Sequence, residues 1–322
     1  MRGRELSRRG LFTLVAAGAG AVAGAVPARA GQAVAVDVGG APAAVAVNPL
    51  TGLAYVSDPA TGSVAVIDGF SATLTAVVRT GGSPGEVAVD PVADRVYVAN
   101  PPAGTVLVLD GRTLEVVSVI GAGAGTSSLA LDEHTGRIYA VSGTTGALAV
   151  LDGNSATLRA TVDGPVGGLA GIAVDSGREL AYCTSAETGS VEVFDIGRTR
   201  FTGSVRVGPS PTGVAVHQAS GTVYVANSAI HHMSIVDSST RSERATVLLR
   251  SESSAVAVHQ GTNTVYSNGG SNGLVRIDGT AGVLSGELTL GVNPGDVAVD
   301  QRTRTVFVTD PLHGRVSVIR DF

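Results

Sequence analysis

Four carboxylates stand at matching positions in a sequence that repeats itself. Asp58 and Asp310 each lie three residues after an aromatic side chain, and Glu86 and Asp296 each come directly before a Val-Ala-Val stretch. Carboxylates that a repeat brings together can hold a metal ion or an organic cation, or can transfer protons where their pKa values are perturbed. Asp58 and Asp310 are also followed by proline, which is typical of turn aspartates that bond their own backbone. Both interpretations stay open.

Histidine and asparagine supply further candidate ligands. His231 and His232 stand together where other repeats have a hairpin glycine, so they are either a divalent-metal site or an incidental pair in a loop of different shape. We expect no cofactor, no bound metal and no assignable catalytic residue. The candidates for ligand binding are Asp58, Glu86, Asn100, Asn227, His231, His232, Asp296, Asp310 and His313.

One further repeat position, at the end of each first strand, carries only Asp, Asn or His. Its members are Asn48, Asp90, Asp132, Asp175, His217, His259 and Asp300. Two histidines among carboxylates would suit a metal, but their wide spacing does not favour one. The Asn-Pro and Asp-Pro pairs favour turns in which the side chain bonds its own backbone.

These residues must be positioned by a repeat that the aromatic residues mark. Its members are Tyr55, Tyr97, Tyr139, Tyr182, Tyr224, Tyr266 and Phe307, at spacings of 42, 42, 43, 42, 42 and 41 residues. A period of this length is typical of four-stranded propeller blades.

Each repeat contains four short valine-rich runs bounded by turn residues. In the second repeat they cover residues 87–90, 95–100, 104–110 and 114–119. Such runs indicate antiparallel strands joined by tight turns. The first run always contains one alanine flanked by larger aliphatic residues, which suits the crowded innermost strands of a ring. We predict an all-β fold, a seven-bladed β-propeller with four antiparallel strands per blade.

The ring must also close. The seventh repeat ends after its third run, residues 315–320, while an unassigned run, residues 33–38, precedes the first repeat. Pairing the two would complete the last blade and remove an exposed strand edge. We therefore predict that the N-terminal strand completes blade 7.

The first thirty residues indicate export. Ser-Arg-Arg-Gly-Leu-Phe at 7–12 is followed by an apolar run rich in alanine and glycine, and then by Ala-Arg-Ala at 28–30. This order resembles a twin-arginine signal peptide with its cleavage site. The apolar run is shorter than the ~20 residues of a membrane-spanning helix, which favours cleavage over anchoring. We predict a signal over residues 1–30, a propeller over residues 31–322, and a secreted or periplasmic, cell-envelope location.

Charge excludes some partners. The whole chain has a net charge of −5, and residues 1–30 carry five arginines and one glutamate, so the remainder has a net charge of −9 and contains no lysine. Nucleic acid and anionic lipid are therefore poor partners. We expect a monomer with no stable membrane insertion after signal cleavage, whose partner is an unidentified protein or small molecule.

The repeats resemble a known family. Tyr-Val-Ala-Asn occurs at 97–100 and 224–227, each time after Val-Ala-Val and before a strand of alternating aliphatic residues. These strings are similar to the YVTN family of β-propeller repeats, whose members include surface-layer proteins, exported proteins and relatives of lactonase and dehydrogenase propellers. The resemblance implies an exported binding or scaffold propeller that presents the loops of one face. It implies as an alternative a lactonase-like hydrolase or lyase with a carboxylate or metal site at the mouth of the channel.

Overall fold

Seven four-stranded antiparallel sheets form a closed ring in the computed structural model of the protein. The structure describes residues 32–270, 272–292 and 294–322. The predicted export signal, residues 1–30, lies outside the described residues. Within the described part of the chain there are only strands and turns, and no helix long and apolar enough to cross a membrane.

Each blade contributes one strand to each of four concentric layers. The innermost strands are β2 (Val45–Asn48), β6 (Val87–Asp90), β10 (Thr126–Asp132), β14 (Ile172–Asp175), β18 (Pro211–His217), β22 (Val256–His259) and β26 (Val297–Val299). The second strands are β3 (Leu53–Asp58), β7 (Arg95–Asn100), β11 (Arg137–Ser142), β15 (Leu180–Ser185), β19 (Thr222–Asn227), β23 (Thr264–Gly270) and β27 (Val306–Asp310). The third strands are β4 (Ser63–Asp68), β8 (Thr105–Asp110), β12 (Leu148–Asp152), β16 (Ser190–Asp195), β20 (His232–Asp237), β24 (Gly273–Asp278) and β28 (Arg315–Arg320). The outermost strands are β5 (Thr73–Arg79), β9 (Val116–Gly121), β13 (Thr157–Val162), β17 (Arg200–Arg206), β21 (Ser242–Leu248), β25 (Val283–Thr289) and, for blade 7, β1 (Gln32–Asp37).

Closure occurs as predicted, because β1 pairs antiparallel with β28. The register runs without a break from Gln32 opposite Arg320 to Asp37 opposite Arg315. Val36 is buried in this pair and packs with Val316 in the core between blades 7 and 1. The strand edge of β28 is therefore covered by the chain itself.

The antiparallel order gives the ring two different faces. The upper face carries the loops that lead into the innermost strands and the hairpins that join second to third strands. The lower face carries the hairpins that join first to second and third to fourth strands. The innermost strands contact one another all the way around, from β2 to β26 and back to β2, and they enclose a central channel.

Apolar side chains fill the seams between neighbouring blades. The repeat aromatics are almost fully buried there, and several reach the lower-face hairpin of the next blade. Tyr55 donates a hydrogen bond to the carbonyl of Gly111 (3.3 Å), and Tyr224 donates one to the carbonyl of Gly279 (3.0 Å). Cys183 is buried without a disulfide partner, as a small apolar residue would be.

The outermost strand of blade 2 begins later than the sequence predicts. Leu114 was expected to open the fourth strand of blade 2, but it lies in the preceding turn with a φ of 59°, and β9 begins at Val116. A β-bulge interrupts the pairing of the third and fourth strands between Val108 and Leu109, and blades 1 and 3–6 have one at the same place. The left-handed conformation of Leu114 places this residue in the turn, so the strand begins after it.

Candidate functional site

The mouth of the central channel on the upper face is lined by one equivalent residue from each blade. These residues directly precede the first aliphatic position of the innermost strands and are Ala44, Glu86, Ser128, Gly171, Gly213, Ala255 and Asp296. Only the residues of blades 2 and 7 are ionisable. Both of those blades flank blade 1, so the two carboxylates lie on the same side of the ring.

Small side chains at the other five positions leave room opposite the carboxylates. The channel mouth is a cavity of about 260 Å³, lined by Glu86, Asp296 and the residues around Gly171, Gly213 and Ser254. A cavity of this size suits a small ligand, and its charged groups are confined to one wall.

Asp296 is fixed in place by blade 1. Its Oδ2 accepts a hydrogen bond from the Val45 amide (2.9 Å), and its own amide donates to Thr309 Oγ1 (2.7 Å). The Thr309 hydroxyl in turn donates to the carbonyl of Ala43 (3.1 Å). The carboxylate therefore spans the seam at which the ring closes, and its position depends on that closure.

Both channel carboxyl groups have raised pKa values. Burial raises the pKa of Glu86 well above its usual value, and the negative charge of Asp296 raises it further. Burial likewise raises the pKa of Asp296, to about 6, although the amides of Val45 and Val297 act in the opposite direction. Since each group disfavours the charge of the other, the two behave as one titrating pair.

Asp58 does not face the channel as Glu86 and Asp296 do, and its carboxylate binds backbone amides instead. Its Oδ1 accepts hydrogen bonds from the amides of Ala60 (2.9 Å), Thr61 (3.2 Å) and Ala41 (3.1 Å), so it holds its own hairpin and the loop that enters blade 1. Burial acts to raise the pKa of Asp58, but these bonds and the Thr61 side chain lower it below its usual value. The structure thus places Asp58 on the upper face, outside the lining of the channel mouth.

Asp310 occupies the same hairpin position in blade 7. It is buried and accepts hydrogen bonds from the His313 amide (3.2 Å) and from His313 Nδ1 (2.8 Å), while His313 itself is half exposed. The four candidate carboxylates therefore divide into two pairs. Glu86 and Asp296 meet in the channel, and Asp58 and Asp310 shape the surrounding hairpins.

Asn100 and Asn227 are buried at the corresponding hairpins of blades 2 and 5. The Asn227 amide donates to the His232 carbonyl (3.0 Å) and to Ser234 Oγ (3.0 Å). The Oδ1 atom of each asparagine accepts no hydrogen bond from a described residue. The loops at Gly82 and Gly208 lie directly over these side chains, so the asparagines face loops rather than the channel.

The paired histidines of blade 5 lie away from the channel. His231 Nε2 is 3.3 Å from Glu252 Oε1 in an exposed ion pair, while the half-buried His232 opens strand β20. No group of three or more His, Cys, Asp or Glu among the described residues is arranged to hold a metal ion.

His217 and His259 belong to a ladder of hydrogen bonds on the lower face. Nδ1 of His217 bonds the Ser220 hydroxyl (2.8 Å) and its Nε2 donates to the carbonyl of Gln260 (2.9 Å). His259 repeats this pattern one blade further on, with the Gln301 carbonyl as acceptor (3.1 Å). Nδ1 of each ring therefore holds its own turn, and Nε2 joins blade 5 to blade 6 and blade 6 to blade 7.

Sequence reasoning missed two arginines, Arg276 and Arg304, which line a second cavity on the lower face. The signal was present in the repeats, because Arg276 replaces an aliphatic residue of the third strand. It becomes visible only after the seven third strands are aligned residue by residue.

Fold and channel together define a seven-bladed β-propeller with a carboxylate pair at the channel mouth. The structure is similar to a solved structure of hydrazine synthase from Kuenenia stuttgartiensis, with a TM-score of 0.75 and 14% sequence identity. The match covers 87% of this chain and 95% of that one. At this identity the likeness shows the fold alone. No protein-family model and no curated protein matches the chain.

Proposed function

We propose that the protein is a non-enzymatic binding propeller that takes a small cationic ligand at the channel mouth. One observation carries this proposal. Of seven equivalent positions in the ring, only two are ionisable, both are acidic, and both lie on one wall of the cavity. Closure of the ring does not require carboxylates at these positions, because the other five blades have Ala, Ser or Gly there.

A cation is the ligand that the pair is best suited to receive. Burial and the charge of Asp296 raise the pKa of Glu86, and burial raises the pKa of Asp296 to about 6, so the pair carries its negative charge at a cost. A bound ammonium, guanidinium or metal cation would offset the repulsion. Affinity should therefore increase as the pH rises through about 6, because protons and ligand compete for the same oxygens.

The test is a calorimetric titration of the protein with putrescine and with calcium chloride. We expect saturable binding of one of the two at pH 7.5 and weaker binding at pH 5. Replacing either carboxyl group, in Glu86→Gln or Asp296→Asn, should weaken binding by roughly tenfold, as expected when one partner of a buried charge pair is lost.

Glu187→Gln is the matched control, since Glu187 is an exposed acid on an upper-face hairpin of blade 4, away from the channel. Its binding curve should overlay that of the wild type. Equal losses in all three variants would mean that general charge attraction drives binding, and this result would refute a channel site. Heats of dilution alone for both probes would also refute it.

A hydrolase or lyase is the second candidate, and the raised pKa of Asp296 supports it. A carboxyl group with a pKa of about 6 can donate and accept protons near neutral pH. Turnover of a small lactone such as γ-butyrolactone, lost in Glu86→Gln, would support this alternative. Binding of the cationic probes without any lactone turnover would favour the binding function.

The chain's sequence resemblances support two further parts of the proposal. The Tyr-Val-Ala-Asn strings favour membership of the YVTN repeat family, and the twin arginines at 8–9 with Ala-Arg-Ala at 28–30 favour export to the periplasm, the cell envelope or the medium. We propose a monomer, and a protein or small molecule rather than nucleic acid as the partner. Secretion of the wild type, blocked when both arginines are replaced by lysine, would test the export route.

A further inference from the structure

The seam between blades 6 and 7 is built differently from the others. Blade 7 takes its fourth strand from β1, so no hairpin joins its third strand to its fourth. In place of that hairpin, Asp321 and Phe322 follow β28, and Tyr266 donates its hydroxyl hydrogen bond to a main-chain oxygen of Phe322, the last described residue (3.2 Å). A cavity of about 590 Å³ opens here on the lower face.

Arg276 enters this seam at a position that is aliphatic in every other blade. The equivalent residues, each almost fully buried, are Val66, Val108, Val150, Val193, Ile235 and Val318. The guanidinium of Arg276 lies over the ring of Phe322, 5.3 Å from its centroid, and its Nε and Nη2 contact Ser285 (3.4 and 3.3 Å). Valine or isoleucine packs at this position in the other six blades, so packing does not require an arginine.

Arg304 brings a second cation to the same place. It stands at the left-handed position before a second strand, with a φ of 64°. Asn263 occupies this position in the preceding blade and accepts a hydrogen bond from the seam tyrosine, Tyr224 (2.8 Å). Arg304 lies close enough to Tyr266 for its charge to act on the phenol. Burial raises the pKa of Tyr266, and the charges of Arg276 and then Arg304 act against that rise.

Neither arginine is neutralised by an ion pair. The seven ion pairs of the described residues include neither Arg276 nor Arg304. Three acidic groups also line the cavity. Asp278 is exposed and accepts hydrogen bonds from the amides of its own turn, Asp321 is exposed as well, and the main-chain carboxylate of Phe322 accepts the hydrogen bond of Tyr266. Hydroxyl groups complete the wall, from Thr262, Thr264, Thr280, Ser285 and Thr303.

We propose that this seam cavity binds a small molecule bearing an oxyanion, a phosphate or a carboxylate, through the guanidinium groups of Arg276 and Arg304. Guanidinium pairs these groups through forked, charge-assisted hydrogen bonds, and threonine hydroxyls donate to the remaining oxygens. The site lies on the face opposite the channel carboxylates and has the opposite charge preference, so it stands independently of the proposed channel function.

The experiment is a calorimetric titration of the protein at low salt with inorganic phosphate and, separately, with citrate. Saturable binding of either is expected, and the tighter of the two identifies the oxyanion. Arg276→Val and Arg304→Asn should each weaken binding of the oxyanion roughly tenfold, because each removes one guanidinium group. Both variants install a residue that another blade already carries at the same position, so both should fold.

Arg112→Gln is the control, because Arg112 is an exposed arginine on the lower face of blade 2. Its affinity should match the wild type, and a thermal melt without probe shows whether each variant is folded. Three results would overturn the site: no saturation by phosphate or citrate at millimolar concentrations, unchanged binding by a folded Arg276→Val, or an equal loss in Arg112→Gln. If Arg276→Val melts early, Arg304→Asn decides the question by the same criteria.

Discussion

At the scale of single residues, the channel carboxylates and the hairpin aspartates respond to pH in opposite directions. Burial raises the pKa of Asp296 from 3.8 to about 6. The folded chain therefore keeps a proton that the unfolded chain loses above pH 4, and stability falls as the pH rises through this window. Hydrogen bonds lower the pKa of Asp58, so its contribution to stability is present above pH 4 and is lost as the pH falls below that value.

Asp296→Asn removes the titrating group and should abolish the loss of stability that rising pH causes. At pH 4 the variant and the wild type should unfold at similar urea concentrations, since Asp296 is neutral in the folded wild type. At pH 8 the variant should be more stable by about 2 kcal/mol, a little less than the rise in pKa from 3.8 to about 6 implies, because the Asp296 side chain is only partly buried. Urea unfolding at pH 4, 6 and 8 measures this difference.

Asp58→Asn should change stability in the direction opposite to Asp296→Asn. The variant replaces a carboxylate that accepts three backbone hydrogen bonds, and it should be less stable than the wild type at pH 8 by about 1 kcal/mol. The deficit should shrink toward pH 3 as the wild-type carboxylate becomes protonated. If both variants gain stability with rising pH, net charge rather than local environment controls the profile.

At the scale of strands and turns, the seam tyrosine and the hairpin glycine of the next blade form one unit. A Cβ atom on Gly153 would overlap the Tyr97 hydroxyl and lie 2.7 Å from the carbonyl of Gly136. We predict that Gly153→Ala destabilises the protein by about 1–3 kcal/mol through this crowding. Thermal or urea unfolding measures the change. Gly121→Ala is the control, because a Cβ at Gly121 meets no atom within 4 Å, and its melting temperature should equal or slightly exceed that of the wild type.

Most of the strands were predictable from the sequence, and what was missed has a physical reason. Period-two alternation and turn residues located strands such as β6 and β7 to the residue, because each side chain there faces either one blade or its neighbour. The start of β9 was missed because Leu114 adopts a left-handed conformation. Leucine rarely does so, and the sequence therefore gives no sign of a turn at this residue. The grouping of Glu86 with Asp296, apart from Asp58, depends on which residues face the channel, and this follows from the geometry of the closed ring.

At the scale of the whole molecule, closure positions both candidate sites. The Val45 amide of blade 1 holds Asp296 of blade 7, and the cavity at Arg276 exists because β1, rather than a hairpin, completes that last blade. A defect at the closing seam should therefore disturb the channel and the lower-face cavity together. Defects in the outermost strands of blades 3 and 4, β13 and β17, lie away from the lining of both cavities and should disturb neither.

The strand β1 is thus expected to matter far more than its six residues suggest. A chain that begins at Gly39 lacks the whole register between Gln32–Asp37 and Arg315–Arg320, exposes the edge of β28 and loses the buried Val36. Burial of one valine contributes roughly 1.5–3 kcal/mol, and the lost hydrogen bonds add to it, so the melting temperature should fall by roughly 10 °C or more, or the chain should aggregate. A chain that begins at Gln32 is the matched control and should melt with the full-length protein. Adding a synthetic peptide of residues 32–38 to the shortened chain should restore part of the loss, whereas equal melting of the two truncated chains would contradict closure by β1.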